Sequence, residues 1–148
     1  MQKTTHFIGA KTTREKMFQA IATPEGLQKW WASSASGSVA IGEMLQLDFK
    51  ELTTLFFRCD ALVTNEHLVL TCFDSFKTWN DTQLVFDIEE KEGQVFLTHT
   101  HQNIAEEDQE SLTYFTSKWT VYLLSLKQYL ETGEGTPYPT ETKLYHGD

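Results

Sequence analysis

From Glu43 onward the apolar residues recur with a period of two. Leu45, Leu47 and Phe49 alternate with Gln46, Asp48 and Lys50. Phe57, Cys59, Ala61 and Val63 follow, then Leu68, Leu70 and Cys72, then Leu84, Phe86 and Ile88, and finally Val95 and Leu97. Successive side chains of a strand point to opposite faces, so this pattern predicts an antiparallel meander with one buried face. Asn65-Glu66 and Glu92-Gly93 are the turn candidates between its strands.

The period changes on either side of the meander. Thr4 to Ala10 reads as a first strand, and Thr12-Thr13-Arg14-Glu15 matches a capping box ahead of a helix carrying Met17, Phe18, Ile21 and Ala22. Pro24 suits the first turn of a second short helix, Pro24 to Ala32, because its missing amide would go unused there. Ser33 to Gly42 is small and polar, and reads as a loop with an edge strand at Val39 to Ile41.

At the other end, Leu112, Phe115, Trp119, Leu123, Leu126 and Leu130 form one stripe spaced by three and four, the signature of a long amphipathic helix. Acidic residues Glu106, Glu107, Asp108 and Glu110 crowd its start and Lys127 lies near its end, as the helix dipole favours. Gly133, Gly135, Pro137 and Pro139 stop it. A strand, two short helices, the meander and a long closing helix predict an α+β fold with the long helix against the concave face of one sheet. In it, a curved antiparallel sheet of about six strands wraps the C-terminal helix. Residues 1–135 form that single domain, and 136–148 read as an extended tail.

Composition narrows the function classes. A chain of 148 residues, 40% hydrophobic and 13% aromatic, can build one core without metal or disulfide staples. Its formal net charge of -9 argues against nucleic acid and anionic membrane surfaces as partners. No apolar run approaches the length of about 20 residues that spans a bilayer, and Met1 to His6 lacks the core of a signal peptide, so a cytoplasmic protein is expected. Two cysteines, with no CxxC pair, suggest neither a disulfide framework nor zinc.

Three ordered stretches carry a family resemblance. They are Thr23-Pro24-Glu25-Gly26-Leu27-Gln28-Lys29-Trp30-Trp31, then Leu97-Thr98-His99-Thr100, and finally Trp119, Leu126 and Leu130 leading into Glu131-Thr132-Gly133-Glu134-Gly135. Together they resemble homologues of the heat-shock protein 90 ATPase activator. That family belongs to the START-like (SRPBCC) helix-grip superfamily, related to polyketide cyclases and the birch pollen allergen fold. The resemblance implies a helix-grip domain, often with an apolar cavity between sheet and helix. It says much less about activity, because one fold hosts many functions.

Counting back from a two-residue turn at Glu92-Gly93 sets Ile88 opposite Leu97, Phe86 opposite His99 and Leu84 opposite His101. Both histidines then point to the buried face. His-x-His is a spacing that metal sites use, but the sequence places no third ligand, so polar lining of a cavity is the better reading and no cofactor is implied. The same counting about Asn65-Glu66 sets Cys59 opposite Cys72, reduced in the cytosol and acting as small core residues.

Trp30, Trp31, Trp79 and Trp119, with many Phe residues, suit a cavity walled by rings, Trp79 and Trp30 near its mouth. The expected ligand-binding set is Trp30, Phe49, Phe57, Phe86, Leu97, His99, His101, Trp119, Tyr122 and Leu123. Arg58 is a further polar candidate that alternation turns away from Phe57 and Cys59. The leading function is non-enzymatic binding of a small apolar or amphipathic molecule. A co-chaperone-like module that meets a heat-shock chaperone is the alternative. A small cyclase or hydrolase, with His99 or His101 as base assisted by Asp74 or Tyr122, is the third.

Overall fold

The computed structural model describes all 148 residues. Strand β1 (Gln2–Ala10) leads into helices α1 (Arg14–Ala22) and α2 (Pro24–Trp30). Six more strands follow: β2 (Ser34–Gly37), β3 (Met44–Asp48), β4 (Thr54–Val63), β5 (His67–Phe73), β6 (Gln83–Lys91) and β7 (Gln94–Ile104). Helix α3 (Gln109–Thr132) closes the fold. All the strands join one antiparallel sheet in the order β1-β7-β6-β5-β4-β3-β2, so the first strand returns to pair with the last. This is the predicted α+β helix-grip architecture, with seven strands where the pattern predicts about six.

The additional strand is Ser34–Gly37, and Val39 to Ile41 is not a strand; Ile41 makes only an isolated bridge to Cys59. Ser-Ala-Ser-Gly carries no apolar alternation, so pattern reading passes over it. Its pairing with β3, from Ser34 opposite Asp48 to Gly37 opposite Leu45, is a backbone affair. A Cβ on Gly37 would lie 2.3 Å from the Met44 carbonyl oxygen, so only glycine fits there.

Alternation places Leu45, Leu47, Leu55, Phe57, Leu68, Leu70, Leu84, Phe86, Val95 and Leu97 on one buried face. Against it α3 turns Phe115, Trp119, Tyr122, Leu123 and Leu126. Two complementary apolar surfaces account for the core, at about 25 cal/mol per Å² of apolar area removed from water. No helix is long and apolar enough to cross a membrane.

The two turns of the meander behave differently. Glu92 and Gly93 both have positive φ, 53° and 77°, the signature of a two-residue hairpin turn. The register is the expected one: Ile88 faces Leu97, Phe86 faces His99 and Leu84 faces His101. The β4–β5 loop instead spans three residues, with Val63 paired to His67 and Asn65 at φ 65°. A register shift between Cys59 and Ala61 then leaves Asp60 as an extra residue, a β-bulge. Cys59 therefore faces Leu70 and Cys72 faces Phe57, which corrects the expected cysteine pair. Beyond the bulge the faces exchange, so Leu62 packs on the core and Val63 is exposed.

Helix ends follow local chemistry. Thr13, not Thr12, caps α1, accepting the Lys16 amide at 3.1 Å. Thr23 caps α2 at the Gly26 amide (2.9 Å), with Pro24 in the first turn as expected. Asp108 caps α3, and Gly133 ends it in the left-handed conformation at φ 91°. The segment 136–148, which reads as an extended tail, runs back over the domain. The Tyr138 amide donates to the Trp31 carbonyl (2.9 Å), Ser33 Oγ donates to the Tyr138 carbonyl (2.7 Å), and Glu141 is buried.

Candidate ligand pocket

Where the β3–β4 end of the sheet meets the N-terminal half of α3, a pocket of about 100 Å³ remains open. Nine of its eleven lining residues are hydrophobic. Phe49, Leu52, Thr53 and Leu55 form one wall, Trp31 and Trp79 the second, and Tyr114, Phe115, Lys118, Trp119 and Tyr122 of α3 the third. Trp31 is the hub: its ring centroid lies 5.1 Å from that of Trp119, 5.7 Å from Phe49 and 6.3 Å from Trp79. Offset and edge contacts of this kind hold ring planes in fixed orientations.

A hydrogen-bond relay beneath the pocket fixes two of these rings. Trp119 Nε1–H can only donate, and it donates to His101 Nδ1 at 3.1 Å. That bond places the His101 proton on Nε2, which donates to Thr82 Oγ1 at 2.9 Å. Thr82 Oγ1 in turn donates to the Trp79 carbonyl at 2.6 Å, and the His101 ring stacks on Trp79 at 4.8 Å. Burial pushes the His101 pKa down to about 3, so the imidazole is neutral at neutral pH.

Burial also holds His99 well below its ordinary value, with the neighbouring His101 acting in the same direction. Its Nδ1 donates to the Val85 carbonyl (3.2 Å) while Nε2 has no partner. The ring is wedged between Phe86 at 4.5 Å and Trp119 at 4.2 Å.

At the polar end of the pocket Lys118 is enclosed by carboxylates from the returning C-terminal segment. Its Nζ lies 2.8 Å from Glu141 Oε2 and 2.5 Å from Asp148 Oδ2. The three side chains are only 6%, 1% and 3% exposed, in the order Lys118, Glu141, Asp148. Tyr122 OH donates to Glu141 Oε2 (3.1 Å) and Tyr114 OH donates to Asp148 Oδ1 (2.6 Å). Burial alone would raise the Asp148 carboxyl, but hydrogen bonds from Lys118, Tyr114 and the Leu144 amide hold it below its ordinary value. Burial, reinforced by these carboxylates, raises both tyrosine hydroxyls far above their ordinary value, so they remain donors.

Of the residues the sequence nominates, Phe49, Trp119 and Tyr122 line the pocket, and Trp79 stands at its mouth. Trp30, Phe57, Phe86, Leu97, His99, His101 and Leu123 lie in the packed core around it. Trp30 is fully buried and its indole N–H donates to the Ala20 carbonyl at 2.8 Å, which ties α2 to α1. Arg58 lies on the other face of the sheet, paired with Asp60 at 2.7 Å. Asp74 is exposed. No group of three or more His, Cys, Asp or Glu side chains is arranged to hold a metal ion.

Sequence reasoning misses Trp31 as the hub, Tyr114 and Phe115 as walls, and the Lys118 network. A signal for Lys118 exists: it falls at helical spacing between Phe115 and Tyr122, a lone charge inside an apolar stripe.

A sheet gripping one long helix, with an apolar pocket between them, defines a START-like helix-grip domain. Its similarities agree. The chain belongs to the family described as Activator of Hsp90 ATPase homolog 1-like protein, whose sequence model matches residues 11–131. The chain is 33% identical to the Aha1 of Colwellia psychrerythraea, solved as a dimer, with a TM-score of 0.82 over 91% of this chain and 100% of that one. A Staphylococcus saprophyticus protein superposes with a TM-score of 0.76 at 24% identity, over 90% and 95% of the two chains. CalU16 of Micromonospora echinospora gives 0.72 at 12% identity, over 88% and 77%. These last two similarities concern the fold alone. No curated protein matches the sequence.

Proposed function

We propose that this domain binds a small apolar or amphipathic molecule, without chemical conversion, between the sheet and α3. The observation that carries the reading is the ring-walled pocket with the Lys118 ammonium and two tyrosine hydroxyls gathered at one end, an apolar enclosure with a few orienting polar groups. Its volume of about 100 Å³ suits a small ring anchor; larger ligands would extend into the adjoining open groove. Catalysis has less support, because neither His99 nor His101 lines the pocket and both nitrogens of His101 are engaged. The free, buried thiols Cys59 and Cys72 suit the cytoplasm.

The test is titration of the protein with a neutral aromatic alcohol, naphthalenemethanol, read by emission of the pocket tryptophans. Saturable quenching is expected in the wild type and its loss in Thr53→Phe, which fills one wall. A linear, unsaturable response, or equal affinity in Thr53→Phe, would overturn the reading.

One observation favours a second reading as a co-chaperone-like interaction module. The groove outside the pocket carries Leu52, Phe76, Leu144 and Tyr145 at 57%, 50%, 39% and 58% exposure, beside Asp108 and Glu110. Exposed apolar residues gathered along one groove suit a protein partner. Titration with heat-shock protein 90, comparing wild type with Phe76→Ser, separates the readings. Weakening by Phe76→Ser without loss of naphthalenemethanol binding would favour the interaction module.

A further inference from the structure

Tyr114, Lys118 and Tyr122 project from one side of α3 at i, i+4 and i+8 and all line the pocket. They supply an ammonium and two hydroxyl donors to one spot. The groups they meet there are carboxylates, from Glu141 and Asp148. Both acceptors belong to the irregular segment after α3, beyond the residues 11–131 that the family's sequence model matches. The donors thus sit on the helix and the acceptors on a strap that is anchored near its start, where Tyr138 packs edge-on against Phe49, and held beyond that by the polar contacts of Glu141 and Asp148.

We infer that Lys118, Tyr114 and Tyr122 form a carboxylate-binding site for an aromatic carboxylate ligand, occupied in the closed state by the strap's own Glu141 and Asp148. The inference rests on the proposed binding function and deepens it by naming the ligand class. The ring of such a ligand fits among Trp31, Trp79, Trp119 and Phe49, and its carboxylate takes the strap's place on Lys118. The exchange conserves the ion pair. Lys118 keeps an anionic partner throughout, and the displaced Glu141 and Asp148 return to water, where their charge is well solvated. A neutral ligand gains nothing from Lys118 and leaves the strap closed. Binding of the carboxylate and release of the strap are therefore coupled, and the strap acts as an internal competitor that lowers apparent affinity.

The experiment compares naphthoate with its neutral counterpart naphthalenemethanol on the full chain, at about 0.15 M salt so that the acidic surface is screened. Wild type is expected to prefer naphthoate by about tenfold. Lys118→Met should erase that preference, with Lys118→Gln as the second variant should the Met protein not fold. Glu141→Gln combined with Asp148→Asn should tighten naphthoate binding about fivefold or more, because the competitor is weakened. Naphthoate, and not the alcohol, should also speed tryptic cleavage after Lys143 in the strap.

If both compounds saturate with equal affinity, or the alcohol binds tighter, the carboxylate site is wrong while the binding function stands. If neither compound binds, both fall. Unchanged naphthoate preference in Lys118→Met or Lys118→Gln would also overturn the assignment.

Discussion

Trp119 and His101 are joined across the helix–sheet interface by an indole N–H donated to imidazole Nδ1 at 3.1 Å. The bond fixes the tautomer of one ring and the orientation of the other, so the floor of the pocket depends on His101 being neutral. Protonation would place a second proton on Nδ1 and set it against the indole donor.

Stability therefore depends on pH in a defined direction. The folded-state pKa of His101 is about 3, below the ordinary 6.5, so between these values the unfolded chain binds more protons. Stability is full above pH 6.5 and declines as pH falls toward 3, and His99 acts in the same direction. From His101 alone the loss between pH 7 and 4.5 is about 2.5 kcal/mol. Urea midpoints at the two pH values should show it. His101→Gln offers an acceptor and a donor but no titratable proton, and should shrink the difference by about that amount. An equal pH dependence in the variant would rule His101 out as its source.

The ion pair of Lys118 with Glu141 and Asp148 is nearly sealed from water, and such pairs respond asymmetrically. Removing one partner leaves charge buried without compensation, so Glu141→Ala should cost about 3 kcal/mol. High salt should change the difference between wild type and Glu141→Ala little, because a buried pair is poorly screened. Chemical denaturation of the two proteins checks this. A loss below about 0.5 kcal/mol, the scale of an exposed pair, would mean that the strap is open in solution.

The thiols give an independent reading of the β4–β5 register. Burial raises the pKa of both cysteines, that of Cys72 to about 11, so little reactive thiolate exists at pH 8. The three-residue loop and the bulge at Asp60 together move Cys59 and Cys72 off opposite positions. A disulfide-exchange reagent should label the native protein at least about 100-fold more slowly than the urea-unfolded chain. Mild oxidation should give no internal disulfide. Rapid labelling, or a fast-migrating oxidised monomer, would contradict the register.

The contrast between the two hairpins shows what the sequence carries. Glu92-Gly93 sits between two clean alternations, and Gly at positive φ leaves one turn geometry, so the register of β6 on β7 is legible to the residue. At Cys59-Asp60-Ala61-Leu62-Val63 the bulge exchanges the faces between two adjacent apolar residues. Either Leu62 or Val63 fits the pattern, and nothing local decides between them. The aromatic wall is legible as composition, but which ring faces space and which faces core is set by packing. Trp30 and Trp31 are neighbours in sequence, yet only Trp31 reaches the pocket. The strap is illegible because Glu141 and Asp148 lie in a polar stretch whose burial depends on Lys118, more than twenty residues earlier.

Two glycines separate close packing from turn conformation. At Gly26 an added Cβ would lie 2.2 Å from the Gln19 carbonyl oxygen and 2.7 Å from Ala20 Cα, both backbone atoms of α1. Helix propensity alone would favour alanine by about 1 kcal/mol, but backbone cannot yield as a side chain can. Gly26→Ala should therefore destabilise by about 2–3 kcal/mol as α2 is pushed off α1 and the Trp30 bond to the Ala20 carbonyl is strained. Gly93 has φ 77° and open space where the Cβ would go. Gly93→Ala meets only the cost of the left-handed conformation, about 1 kcal/mol. Urea midpoints should fall in the order wild type, Gly93→Ala, Gly26→Ala. A Gly26→Ala protein as stable as wild type would show that α1 and α2 do not touch at this point, and that Trp30 is anchored by some other contact.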